Sequence, residues 1–117
     1  MDTNKAVTAL SALAQETRLT VFRLLVEAGP RGVSAGDIAS RLNCAPATLS
    51  FHLKELHRAE LVHAERDGRS IIYSARFDCM QSLIDYLTEN CCALDPGADC
   101  QQTALQCNEM GNEVENA

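Results

Sequence analysis

The last third of this chain has no positive charge. All ten Lys and Arg lie in residues 1–78 beside nine Asp and Glu, a balance of +1. Residues 79–117 carry seven acids and no base, a balance of −7, and the two sums make the net −6. The front part is therefore able to approach phosphate, with the acid set apart on a tail. No apolar run reaches the roughly 18 residues of a membrane span, which excludes a helical membrane protein. There is no C-x-x-C, no Gly-rich phosphate loop and no evident base beside the cysteines, which argues against a small redox or metalloid-transforming enzyme. Met1-Asp-Thr-Asn opens the chain without a basic, apolar leader, so a cytoplasmic setting is expected. Thiols stay reduced there, and the six cysteines point to metal or thiol chemistry rather than a disulfide framework.

What is present fits one small domain, with 46% of 117 residues apolar. Residues 45–56, APATLSFHLKEL, organise it. Leu49, Leu53 and Leu56 recur at helical spacing, while Ala47, Ser50, Phe51, Lys54 and Arg58 point the other way. Pro46 suits a first helical turn, because its missing N–H would have no partner there. Upstream, residues 34–42 read as a short helix capped by Ser34, with Asn43 and Cys44 as the connecting turn. Two short helices around a tight turn predict a helix-turn-helix whose second helix reads DNA, with Thr48, Ser50 and Lys54 on bases or phosphates. Two scaffold helices precede it. Residues 4–13 carry Ala6, Val7, Leu10 and Leu13 at helical spacing, and residues 15–27 carry Leu19, Phe22, Leu24, Leu25 and Val26 before Gly29-Pro30-Arg31-Gly32 stops them.

Residues 61–75 alternate around Asp67-Gly68, which predicts a type I′ hairpin with Arg66 opposite Arg69, Ala64 opposite Ile71 and Val62 opposite Tyr73. Two facing arginines at a tip call for an anion, and a DNA phosphate supplies one. Directly after a helix-turn-helix, the hairpin reads as a wing. Residues 80–90 form a further helix with Met80, Leu83, Ile84 and Leu87 on one face, expected to pair with a second copy of the chain. The expected fold is mainly α with a β-hairpin wing: a dimeric winged helix-turn-helix over residues 1–92, followed by an acidic, cysteine-containing tail over 93–117 that is partly disordered.

Four motifs together, LAQETRLTVFRLL at 13–25, APATLSFHLKEL at 45–56, RDGRSIIY at 66–73 and YLTENCC at 86–92, resemble the ArsR/SmtB family of winged-helix, metal-responsive repressors. The likeness is nearest to arsenic-responsive members that end their last helix in adjacent cysteines. It implies a homodimer that sits on operator DNA and leaves when a metal or metalloid binds, and it gives His52 a place at the DNA. There are departures. The helix before the recognition helix reads GDIASRL, without the cysteine pair of some arsenic sensors, and residues 80–92 lack the His of zinc and nickel sensors. Phe51 replaces a usual basic residue beside His52, and its chemistry suits a thymine methyl.

Cys91 and Cys92 are adjacent, and their Cα atoms, about 3.8 Å apart, are too close for an unstrained disulfide. Two thiolates that pair poorly with each other remain available to a soft ion. Asp95-Pro96-Gly97-Ala98 has the residues of a type II turn, which would bring Cys100 back to the pair. Three thiolates suit As(III) or Sb(III), whereas zinc takes a fourth ligand. Cys107 is the alternative third ligand, at the cost of a longer loop. Cys44 and Cys79 are isolated and read as small buried hydrophobes. The expected activity is an arsenite-responsive transcriptional repressor with no permanent cofactor; cadmium, lead or thiol oxidation are the alternative signals at the same sulfurs.

Overall fold

The computed structural model describes residues 1–97. Its elements are α1 (Thr3–Leu13), α2 (Glu16–Ala28), a single 3-10 turn (Gly29–Arg31), β1 (Val33–Ser34), α3 (Ala35–Leu42), α4 (Pro46–Arg58), β2 (Val62–Asp67), β3 (Ser70–Ala75) and α5 (Phe77–Thr88). The described residues divide into two units, residues 1–87 and a second that begins at Thr88. No helix among the described residues is long and apolar enough to cross a membrane.

The first unit is a winged helix-turn-helix built around leucines. Val21, Leu25, Ile38, Leu49, Leu53, Leu56, Leu61 and Val62 are fully buried, and each such side chain contributes about 1.5–3 kcal/mol by leaving water. The caps are local and polar. Asp2 accepts from the N–H of Lys5, the Gln15 side chain from that of Arg18, and Ser34 from that of Asp37, which satisfies donors that a helix start leaves open. Thr3 and Tyr86 share a hydroxyl hydrogen bond that ties α1 to α5.

In α1 the buried stripe is Ala6, Ala9 and Ala12, whereas Val7 and Leu10, expected inside, are 54% and 43% exposed. Alanine has the smaller side chain and lets α1 lie close against α2 and α4. In α2, Val21, Phe22 and Leu25 are buried and Leu19 faces out. Here again periodicity finds the helix and misjudges which edge of a broad apolar face is covered.

The hairpin register differs from expectation by two residues. Arg66 opposes Ile71, Ala64 opposes Tyr73 and Val62 opposes Ala75, with Asp67 paired to Ser70. The loop is Gly68-Arg69, with Gly68 at φ +63° and Arg69 outside the positive-φ region, the pattern of a type II′ turn. A type I′ turn centred on Asp67-Gly68 would have forced Asp67 into a positive φ as well. A shift by two keeps every side chain on its expected face. It also places Arg69 in the turn itself rather than across from Arg66. The short strand β1, which the sequence pattern did not predict, adds a third member in the order β1-β3-β2 through Val33 opposite Tyr73 and Ser34 opposite Ile72.

The last helix runs Phe77–Thr88, earlier than the expected 80–90. Asp78 opens it, accepting from the Arg76 guanidinium at 3.3 Å, and the Met80 N–H reaches the Arg76 carbonyl. Leu83 is buried, whereas Ile84 and Leu87 are exposed.

Candidate nucleic-acid interface

Helices α3 and α4 meet through Asn43, which holds φ 50° and gives its N–H to the carbonyls of Ala39 and Ser40. Asparagine is among the few residues that tolerate this left-handed position, which closes a helix and turns the chain at once. Pro46 then starts α4 at its first position, with Ala45 extended before it and no side chain capping the end. Pro46 has no N–H, and the first backbone bond back into the preceding turn is Leu49 to Ala45. The N–H groups of Ala47 and Thr48 therefore stand without helical acceptors at an exposed, electropositive helix start.

Leu49, Leu53 and Leu56 anchor α4 in the core. The opposite face presents Ala47, Thr48, Ser50, Phe51 and Lys54, all exposed. His52 lies elsewhere: it is 8% exposed, turned into the fold, and its Nδ1 is buried with no hydrogen-bond partner among the described residues. Its ring meets that of Phe51 edge-on, with centroids 5.5 Å apart and planes at 62°. A helical wheel drawn from the leucine stripe leaves His52 at the boundary of the buried face, so only packing assigns it a side.

The wing carries Arg66 and Arg69, both exposed. Among the described residues Lys54, Arg66 and Arg69 enter no ion pair, unlike Arg58, which holds Glu55 at 3.3 Å, and Arg41, 3.9 Å from Asp37. The outer face of α4 and the wing thus each offer uncommitted cations, and α4 adds short hydroxyl side chains and open backbone donors, a set suited to phosphate oxygens and base edges.

The cysteines fall into two groups. Cys44 and Cys79 are half-buried against the core, and burial raises the Cys79 thiol above its ordinary pKa. Cys91 and Cys92 follow α5 rather than ending it. They sit in consecutive turns made by Cys91 N–H to Thr88 O, Ala93 N–H to Asn90 O and Asp95 N–H to Cys92 O, with Asn90 and Cys92 at φ 58° and 63°. Helical geometry stops once these residues enter the left-handed region. The two sulfurs are 3.5 Å apart. The type II turn expected at 95–98 extends to Ala98, outside the described residues; Gly97 itself lacks the positive φ that such a turn requires, and its N–H donates to the Asp95 carboxylate at 3.2 Å. Cys100 and Cys107 lie outside the described residues. Among the described residues no three His, Cys, Asp or Glu side chains gather in a way that could hold a metal ion.

Comparison with known proteins places this geometry. Residues 13–65 match a family model described as a helix-turn-helix domain. The transcriptional activator HlyU of Vibrio cholerae is 31% identical over 83 residues, covering 71% of this chain and 74% of its own. Its structure in the reduced form superposes with a TM-score of 0.59 at 29% identity, over 76% of this chain and 90% of that one. The transcriptional repressor SdpR of Bacillus subtilis is 33% identical over 76 residues, 65% of this chain and 81% of its own. An ArsR-like transcriptional regulator from Rhodococcus sp. RHA1 shares the fold, with a TM-score of 0.68 at 24% identity over 90% of this chain and 92% of that one.

Proposed function

Since this chain belongs to the ArsR/SmtB family of winged-helix transcriptional regulators that bind DNA, we propose that it is an operator-binding homodimeric repressor released by As(III) or Sb(III). The observation that carries the DNA-reading part is the face of α4 and the wing. Ala47, Thr48, Ser50, Phe51 and Lys54 lie in the major groove, the Ala47 and Thr48 N–H groups meet a phosphate, and Arg66 and Arg69 hold backbone beside it. His52 acts from beneath, as packing that sets the helix against the core.

The inducer is held by Cys91 and Cys92, with Cys100, or Cys107 in its place, as third thiolate. Bonds of about 2.3 Å, usual between a thiolate sulfur and zinc, let one atom bridge sulfurs up to about 4.6 Å apart. The observed 3.5 Å therefore admits a single soft ion. Closing a third thiolate onto it orders the chain after α5. With α5 in the dimer seam, that ordering changes the spacing of the two recognition helices, and a coupling of about 1–3 kcal/mol lowers operator affinity some 5- to 150-fold. Oxidation of the same thiols is the second reading, favoured by the relative whose structure is specified as its reduced form.

The test is a gel shift with and without arsenite. Arsenite releases the parent protein and leaves the Cys91→Ser/Cys92→Ser variant bound. Release of both alike refutes the thiolate site, and release by peroxide alone favours oxidation. For the wing, Arg66→Ala with Arg69→Ala removes about four phosphate contacts per dimer and flattens the log–log salt slope by about 3–4, uniformly across sequences.

A further inference from the structure

Phe51 is out of place on a surface built to touch DNA. It is 57% exposed, although a ring of its size gains most from burial, and its neighbours on the outer face of α4 are small or polar: Ala47 one turn before it, then Ser50 and Lys54. Within residues 1–87 its ring contact is with His52. His52 is itself buried, so the Phe51 ring rests on a fixed support and has less freedom to lose when something covers it.

The chemistry of the ring narrows what that is. Phenylalanine has neither donor nor acceptor, and a base edge placed against it would lose its water without replacement. In the major groove one base-edge group is apolar, the C5-methyl of thymine. The position on the helix agrees. Phe51 lies in the first half of α4, and the N-terminal residues of a recognition helix are the ones that reach base edges. Ala47, four residues before it, extends the apolar patch along the same helix face.

We propose that Phe51 is the specificity-determining residue of each recognition helix, reading a pyrimidine C5-methyl group, in ordinary DNA a thymine. The inference rests on the operator-binding reading and adds to it which base position is selected, and by what contact. Covering one methyl contributes about as much as burying one CH2, equivalent to about a fourfold change in affinity, and two half-sites in a dimer compound it to about 15-fold.

The probe is a duplex enriched from random-sequence DNA by the purified wild-type protein, with each thymine replaced singly by deoxyuridine, which removes only the methyl. Wild type loses about fourfold at one thymine in each half-site and little elsewhere. Phe51→Ala binds thymine and deoxyuridine duplexes equally, whereas Phe51→Leu keeps part of the discrimination. At the same position 5-methylcytosine outranks cytosine for wild type and not for Phe51→Ala. The side chain is exposed, so all variants should share the wild-type thermal melt. Binding that ignores every methyl overturns this inference and leaves operator binding standing. A methyl effect that survives Phe51→Ala also overturns it, by assigning the contact to another residue. Failure of the wild type to enrich any sequence overturns both readings.

Discussion

Gly32 joins the end of the 3-10 turn to β1, and replacing it by alanine should damage the fold more than any surface change of equal size. Its backbone sits at φ +77°, ψ −177°, a region essentially restricted to glycine, where a side chain costs about 1–3 kcal/mol. A Cβ built there would lie 2.6 Å from the Tyr73 carbonyl oxygen and 2.9 Å from Ile72 Cγ2. The first of these is backbone of β3, paired on both sides, so relief requires β1 and β3 to separate; overpacking of that kind adds about 1–3 kcal/mol. The sum is about 2–6 kcal/mol. Unfolding entropy of about 2.1 cal/mol/K per residue over about 90 residues makes each kcal/mol worth about 5 °C, so the midpoint should fall by about 10–30 °C. Far-UV circular dichroism melts of Gly32→Ala and Gly36→Ala check it together. Gly36 is helical with nothing within 4 Å of its would-be Cβ, so alanine there should add about 0.5–1 kcal/mol. A Gly32→Ala midpoint within about 3 °C of the parent would refute the reasoning. So would equal losses in the two variants.

Asp78 has its pKa held below the usual carboxylate range by the Cys79 backbone N–H and by the Arg76 guanidinium. A depressed folded-state pKa stabilises above the unfolded value, near 3.8, and that stability disappears as pH falls through the folded one. Asp78→Asn should therefore melt below the parent at pH 7, and the gap should narrow as pH falls below 3.8, as read by melts across an acid series. The raised pKa of Cys79 leaves less thiolate at neutral pH, so iodoacetamide should modify Cys79 more slowly than exposed Cys91; peptide mass spectra at timed quenches check the order. Val7→Glu with Leu87→Glu places charge on exposed apolar positions of α1 and α5. Light scattering should report a monomer for that variant and a dimer for the parent, with melting of the monomer fold retained.

The parts of this fold written in short-range signals were legible in the sequence. Ser34 as a cap, Asn43 with Cys44 as the connecting turn, Pro46 as a helix start and the leucine stripe of α4 each depend on residues within one or two turns. The hairpin was legible as a hairpin but not in its register, because one glycine after an aspartate serves a I′ turn at its second position and a II′ turn at its first. Only the partners across the sheet decide between them. The same limit applies to His52, whose side depends on packing beyond its own helix. The α1 face shows the physical cause most plainly. Ranking by hydrophobicity chooses Val7 and Leu10 for the interior, while close helix packing chooses Ala6, Ala9 and Ala12. Large apolar residues left over on the first and last helices, Val7 and Leu10 with Ile84 and Leu87, are 43–58% exposed in a single chain. A core and a subunit seam recruit the same residue types at the same spacing. A sequence pattern therefore reports the total apolar surface to be covered, and only coordinates divide it between what the chain covers itself and what it leaves for a second copy.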